Sequence, residues 1–232
     1  MSRLFTFGCS FTNYRWSTWA DCLAPEFDEF HNWAQSGAGQ MYIFNSVMEA
    51  DQRHHFGPGD TVIVCWSSML RDDRYVAGRW HTLGNVVSCP IYNTDYLETH
   101  VDERGYTIRD FALIKGTKTL LENRPGLNWL FLSMTNLKLG IRCDSHPGDP
   151  ADVMALYADV LDSVLPSYQE VLYSKGWKSG DAHPTPVEHL AYLDTVLPGW
   201  VTKAETRVKM QEESVNLRKD PRKSGMSKVT RL

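Results

Sequence analysis

Four short apolar segments, residues 4–7, 29–33, 61–66 and 128–134, are separated by stretches with helical character. Strands alternating with helices in this way describe a mostly parallel sheet with helices on both faces. Thr61-Val62-Ile63-Val64-Cys65-Trp66 is the most β-like of the four, and Gly57-Pro58-Gly59-Asp60 before it is a strong turn. Residues 41–48 carry Ile43, Phe44 and Val47 on one helical face. Residues 111–122 and 151–173 also read as helix, the second kinked at Pro166, and prolines open a last helix over 184–196. Residues 71–106 are rich in aromatics and show no clear period. The expected fold is a three-layer α/β/α one.

The 232 residues fit one large domain, and an apolar content of 42% suffices for a real core. Charge divides the chain. Residues 203–232 hold nine Lys/Arg against four Asp/Glu, a net of +5, and residues 1–202 hold 15 against 24, a net of −9. The reading is therefore a domain over 1–202 and a basic, polar C-terminal tail over 203–232. Few apolar groups follow Gln211, which predicts a frayed, solvated end or a docking segment for a second copy or another partner. An acidic body argues against nucleic acid binding by the main domain. No run approaches the roughly 18 apolar residues of a membrane span. The start, Met-Ser-Arg-Leu-Phe-Thr-Phe-Gly, lacks a signal peptide's features, so cytoplasmic synthesis is expected.

Cys9, Cys22, Cys65, Cys89 and Cys143 are scattered without CxxC spacing, which suggests free thiols and no zinc or redox site. His54-His55 lacks acidic or cysteine partners at ligand spacing and reads as a solvated helix end. Asp72-Asp73, flanked by Arg71 and Arg74, reads as an ion-pair cluster. No cofactor or metal is called for.

Ligands of such sheets bind at the carboxyl ends of the strands. Ser10, Gly37, Ser67, Ser68, Asn136 and His183 all follow a strand or lie in a late loop, and so converge on that edge. Gly8-Cys9-Ser10-Phe11-Thr12 directly follows the first strand, where a serine hydroxyl stands exposed beside amides able to face an oxyanion. Asp181-Ala182-His183-Pro184 precedes the last helix, and a histidine beside a carboxylate is the usual general base for a serine. The competing readings are a small-residue turn and a polar capping loop.

Together these segments resemble the first and last blocks of the SGNH (GDSL-like) hydrolase family, and Gly-Cys-Ser-Phe-Thr is similar to a variant in tailed-phage and bacterial proteins. The resemblance implies a flavodoxin-like SGNH hydrolase architecture, Ser10 as nucleophile, His183 as base and Asp181 as its partner. In the second block, Asn32 is followed five residues later by Gly37, which the resemblance makes an oxyanion donor with the Ser10 amide; Gly39 is the alternative register. The third block departs from the family. Cys65-Trp66-Ser67-Ser68-Met69-Leu70-Arg71 has no asparagine, which leaves Ser68, Arg71 or Arg74 to replace a donor worth about 3 kcal/mol in the transition state. In the last block one residue, where family members commonly have two, separates Asp181 from His183.

The implied function is a serine esterase acting on a small-molecule or polysaccharide ester. Trp66, Trp80, Tyr75, Tyr92, Arg71 and Arg74 are the expected substrate contacts, and carbohydrate O-deacetylation is the favoured reaction. The alternative is a non-catalytic binding or virion structural protein with the same fold. A nucleotide binder is disfavoured, because Gly8-Cys9-Ser10 is not a phosphate loop and no Walker-type lysine follows.

Overall fold

The computed structural model describes residues 1–139, 150–173 and 183–219. In chain order the elements are β1 (Arg3–Phe7), α1 (Trp19–Leu23), β2 (Glu29–Asn32), α2 (Gln40–His54), β3 (Asp60–Trp66), β4 (Arg71–Val76) and β5 (Arg79–Asn85). They continue with α3 (Thr94–His100), α4 (Glu103–Glu122), β6 (Asn128–Ser133), α5 (Pro150–Leu156), α6 (Ala158–Leu161), α7 (Tyr168–Tyr173), α8 (Pro186–Val196) and α9 (Ala204–Lys219).

The four expected strands pair in parallel in the order β2-β1-β3-β6. A strand covered on both faces needs apolar side chains in both directions, as Val62 to Trp66 of β3 supply, whereas the edge strand β2, Glu-Phe-His-Asn, is only half-buried. All seven residues of β3 are buried. Its centre, Ile63, lies between Thr6 and Leu130 in the register. Burial of a side chain of this size contributes roughly 1.5–3 kcal/mol.

The strand order also dictates the layers. The chain steps from β1 to β2 on one side, then back past β1 to β3 and onward to β6. With right-handed crossovers this puts α1 on one face and α2 and α4 on the other. Accordingly α2 packs on α4, whereas α1 packs with α8 and α9. The reversal falls between β1 and β3, the crevice where such sheets bind ligands.

Two regions depart from the sequence reading. The aperiodic stretch after β3 holds an antiparallel hairpin, β4–β5, and the short α3, gathered on a small core of Val86, Tyr92 and Tyr106. The segment expected to be a solvated tail begins as a 16-residue helix, α9. Met210, Leu217, Thr206 and Ser214 of α9 are buried, so the domain extends past residue 202. Among the described residues no helix is long and apolar enough to cross a membrane.

Candidate active site

The first strand delivers Ser10 to the carboxyl edge of the sheet. Beyond Phe7 the chain turns sharply, with the Thr12 and Asn13 amides both donating to the Cys9 carbonyl at 2.9 and 3.1 Å. Gly8 is required there: a Cβ would collide with Thr12 Oγ1 and lie 2.9 Å from the Cys65 carbonyl. Ser10 is 6% exposed, and its Oγ lies 2.9 Å from His183 Nε2, across 173 residues of sequence. For Nε2 to accept the serine proton, the neutral imidazole must carry its hydrogen on Nδ1.

His183 is held by its surroundings on several sides. Tyr14 stacks on the imidazole, with ring centroids 4.0 Å apart and planes 12° from parallel, and Phe11 lies 5.7 Å away at a tilt. The Trp16 indole donates to the Pro184 carbonyl at 2.7 Å. Thr185, two residues after His183, forms a capping box with Glu188 that fixes where α8 begins. Behind Phe11 lies a second histidine, His189, fully buried with Nδ1 3.0 Å from the Tyr168 hydroxyl. Burial, and secondarily the nearby His183, push its pKa down from 6.5 to about 3, which keeps it neutral beside the pair. Asp181 lies outside the described residues, as do Cys143 and His146-Pro147-Gly148-Asp149.

The second block runs along the serine turn. Asn32 Nδ2 donates to the Thr12 carbonyl at 3.1 Å, Asn13 Nδ2 to Ala34 at 3.0 Å, and the Gln35 amide to Gly8 at 3.2 Å. Gly37 follows at φ +82°, where a Cβ would collide with the Thr82 carbonyl of β5. The hairpin therefore lies directly over this turn.

In the third block Arg71 turns toward the second. Its Nε donates to Ser68 Oγ at 3.0 Å and its Nη1 to the Ala38 carbonyl at 2.9 Å. Its Nη2 rests 3.8 Å from Met134 Sδ, and Cys9 Sγ touches the same sulfur at 3.9 Å. Arg71 thus bridges blocks two and three, within reach of the turn that carries Ser10.

Other expected contacts are placed elsewhere. Trp66, read as a substrate contact, is fully buried against Phe131, because its position in β3 points it into the core. Arg74 is paired to Asp72 at 2.7 Å and lies over Tyr92 and Tyr96, away from Ser10's contacts. Tyr92 is 9% exposed in the insert's own core. Trp80 packs edge-on against Tyr42 of α2, whereas Tyr75 is 62% exposed. Asn136 turns to Glu170 at 2.8 Å. Asp73 is not an ion-pair residue; its buried carboxylate accepts from the Gly39 and Tyr42 amides at the start of α2. His54, expected in solvent, packs among Phe5, His31 and Trp33. Cys9, Cys22 and Cys65 are buried free thiols and Cys89 is half-buried. Among the described residues no group of His, Cys, Asp or Glu has the arrangement to hold a metal ion.

Fold and site together define an α/β protein with a serine–histidine pair at the carboxyl edge of a parallel sheet. No family model and no curated protein matches the chain. Among solved structures it is similar to a member of the lipolytic protein G-D-S-L family from Veillonella parvula. That likeness has 13% identity, covers 84% of this chain and 97% of the other, and has a TM-score of 0.46. It is also similar to the psychrotrophic esterase EstA from Pseudoalteromonas sp., with 11% identity, 84% and 96% coverage and a TM-score of 0.42. TesA is similar over 85% of this chain and 99% of its own, with 12% identity and a TM-score of 0.44.

Proposed function

We propose that this chain is a serine esterase, with Ser10 the nucleophile and His183 its general base. The observation that carries the reading is the 2.9 Å contact between Ser10 Oγ and His183 Nε2 at the switch point of the sheet. Ser10 Oγ attacks the ester carbonyl as its proton passes to Nε2. The negative charge that develops on the carbonyl oxygen is met by the Ser10 and Gly37 amides, with Ser68 and Arg71 alongside. The imidazolium returns its proton to the leaving alkoxide, and the acyl-enzyme is then hydrolysed by a water that the same imidazole activates. Asp181 takes the role of orienting His183, as the family resemblance implies.

The finer reading is an O-acyl ester carried on a carbohydrate. Its support is Tyr75, an exposed aromatic face on the hairpin that covers the Gly37 turn. A second reading, a binding protein that keeps the fold without the reaction, draws on the missing asparagine of block three. One experiment separates them. Wild type should hydrolyse p-nitrophenyl acetate and take up a fluorophosphonate probe at Ser10, located by mass spectrometry. Ser10→Ala should do neither, and His183→Ala should lose at least about 100-fold in rate. An unlabelled, inactive wild type would leave the binding protein as the answer.

A further inference from the structure

Each of the four residues from Ser36 to Gly39 is bonded by the β4–β5 hairpin. Thr82 Oγ1 donates to the Ser36 carbonyl at 2.8 Å, and the Gly84 amide donates to the Gly37 carbonyl at 3.1 Å. Arg71 Nη1 donates to the Ala38 carbonyl at 2.9 Å, and Asp73 accepts from the Gly39 amide at 2.9 and 3.0 Å. A surface turn has no need of so many non-local partners to close.

The bond to Ser36 has a specific geometric effect. A peptide unit is planar and trans, so the Ser36 carbonyl and the Gly37 N–H point in opposite directions. Whatever holds that carbonyl also aims that N–H. Thr82 Oγ1 is itself oriented, because Gln35 Nε2 donates to it at 2.9 Å, which leaves the hydroxyl hydrogen for Ser36. Gly37 at φ +82° would by itself leave the plane loose, since glycine is the least restricted residue at such a position.

We propose that Thr82 is a positioning residue: its hydroxyl, set by Gln35, locks the Ser36–Gly37 peptide plane and so aims the Gly37 amide at the developing oxyanion. The inference rests on the esterase reading above, and nothing in the SGNH motifs themselves supplies it. It assigns a purpose to the hairpin. With no block-three asparagine to fix a donor near Ser10, an inserted strand fixes the remaining amide from outside.

The test compares Thr82→Val, which keeps the shape and removes the donor, with Thr82→Ser, which keeps the hydroxyl. Thr82→Val should lower kcat on p-nitrophenyl acetate roughly 10–100-fold with KM within about twofold, while Thr82→Ser stays near wild type. Melting temperatures of both should remain close to wild type. Equal loss in the two variants, an effect confined to KM, or unchanged kcat in Thr82→Val would overturn the proposal. If wild type and Ser10→Ala are equally inactive, it is the esterase reading that has failed. Amide hydrogen exchange at Gly37 then decides separately on the positioning. Faster exchange in Thr82→Val than in Thr82→Ser supports it, and identical exchange overturns it.

Discussion

Tyr14 lies flat against the imidazole of His183, 4.0 Å away and nearly parallel, and the Arg15 guanidinium lies over the same tyrosine ring at 5.6 Å from its centre. The stack restricts rotation of the imidazole about its χ2, a torsion whose broad well otherwise leaves the ring loosely set. Tyr14→Ala should therefore lower kcat roughly 10–100-fold and slow fluorophosphonate labelling of Ser10 in parallel. Tyr14→Phe, which keeps the ring, should retain most of the rate. Full activity in Tyr14→Ala would mean that Trp16 and the α8 cap hold His183 without it.

Arg71 joins Ser68 to the Ala38 carbonyl, so its removal should loosen two sides of the site together. The expected result for Arg71→Ala is a fall in kcat of about 100-fold or more with little change in KM, because the loss is felt in the transition state. An effect on KM alone would make Arg71 a substrate anchor. Steady-state kinetics on one soluble ester distinguishes the outcomes.

Two buried groups give stability opposite pH dependences. Burial raises Asp110 from 3.8 to about 7, against the pull of Arg109 at 2.7 Å. Its contribution is complete below pH 3.8 and is lost as pH rises through 7. His189, depressed from 6.5 to about 3, contributes fully above pH 6.5 and loses that contribution as pH falls toward 3. Asp110→Asn should raise the melting temperature at pH 8 by roughly 2 °C or more and lose that advantage by pH 5. His189→Asn should reduce the loss of stability between pH 6.5 and 4. Melting curves of the variants that track wild type at every pH would show that neither group titrates with folding.

The helix α9 reaches the site's supports. Ser214 Oγ accepts from the Val187 amide at 2.9 Å in the first turn of α8, and Glu213 accepts from the Ser17 amide at 3.0 Å. Truncation after Lys209 removes both bonds and the buried Met210 and Leu217, so it should cost stability and esterase activity together. Ser214→Ala alone should cost about 1 kcal/mol, read by urea denaturation. A truncated chain with native melting temperature and turnover would mean that α9 is an appendage.

What the sequence revealed and what it hid have physical causes. The central strand β3 was legible because a strand buried on both faces needs an apolar run, here Val62 to Trp66. The helix α9 was hidden because its buried stripe, Thr206, Met210, Ser214 and Leu217, is half hydroxyl and scarcely registers as hydrophobic. Strand β4 opens Arg-Asp-Asp-Arg, a poor strand sequence, and Asp73 is tolerated in burial only because amides of α2 receive it. One local signal for the hairpin did exist: Ala77-Gly78, both with positive φ, form a two-residue turn between Tyr75-Val76 and Arg79-Trp80. At the site, the resemblance to the SGNH motifs singled out Ser10, Gly37 and His183, and the structure brings Ser10 and His183 to 2.9 Å. The roles of Tyr14, Trp16 and Thr82 depend on partners 46 to 169 residues away and leave no local pattern.

A chain with this layout has a built-in order of events as it leaves the ribosome. Ser10 precedes His183 by 173 residues, an interval of roughly 10–35 s at ordinary elongation rates. Throughout that interval the serine lacks its histidine partner, and α8 has no brace until Ser214 has also emerged. On the esterase reading, the nascent polypeptide is thus chemically silent toward esters around it. A stalled or prematurely ended product that stops short of α8 would carry Ser10 without the partner that the esterase reading requires.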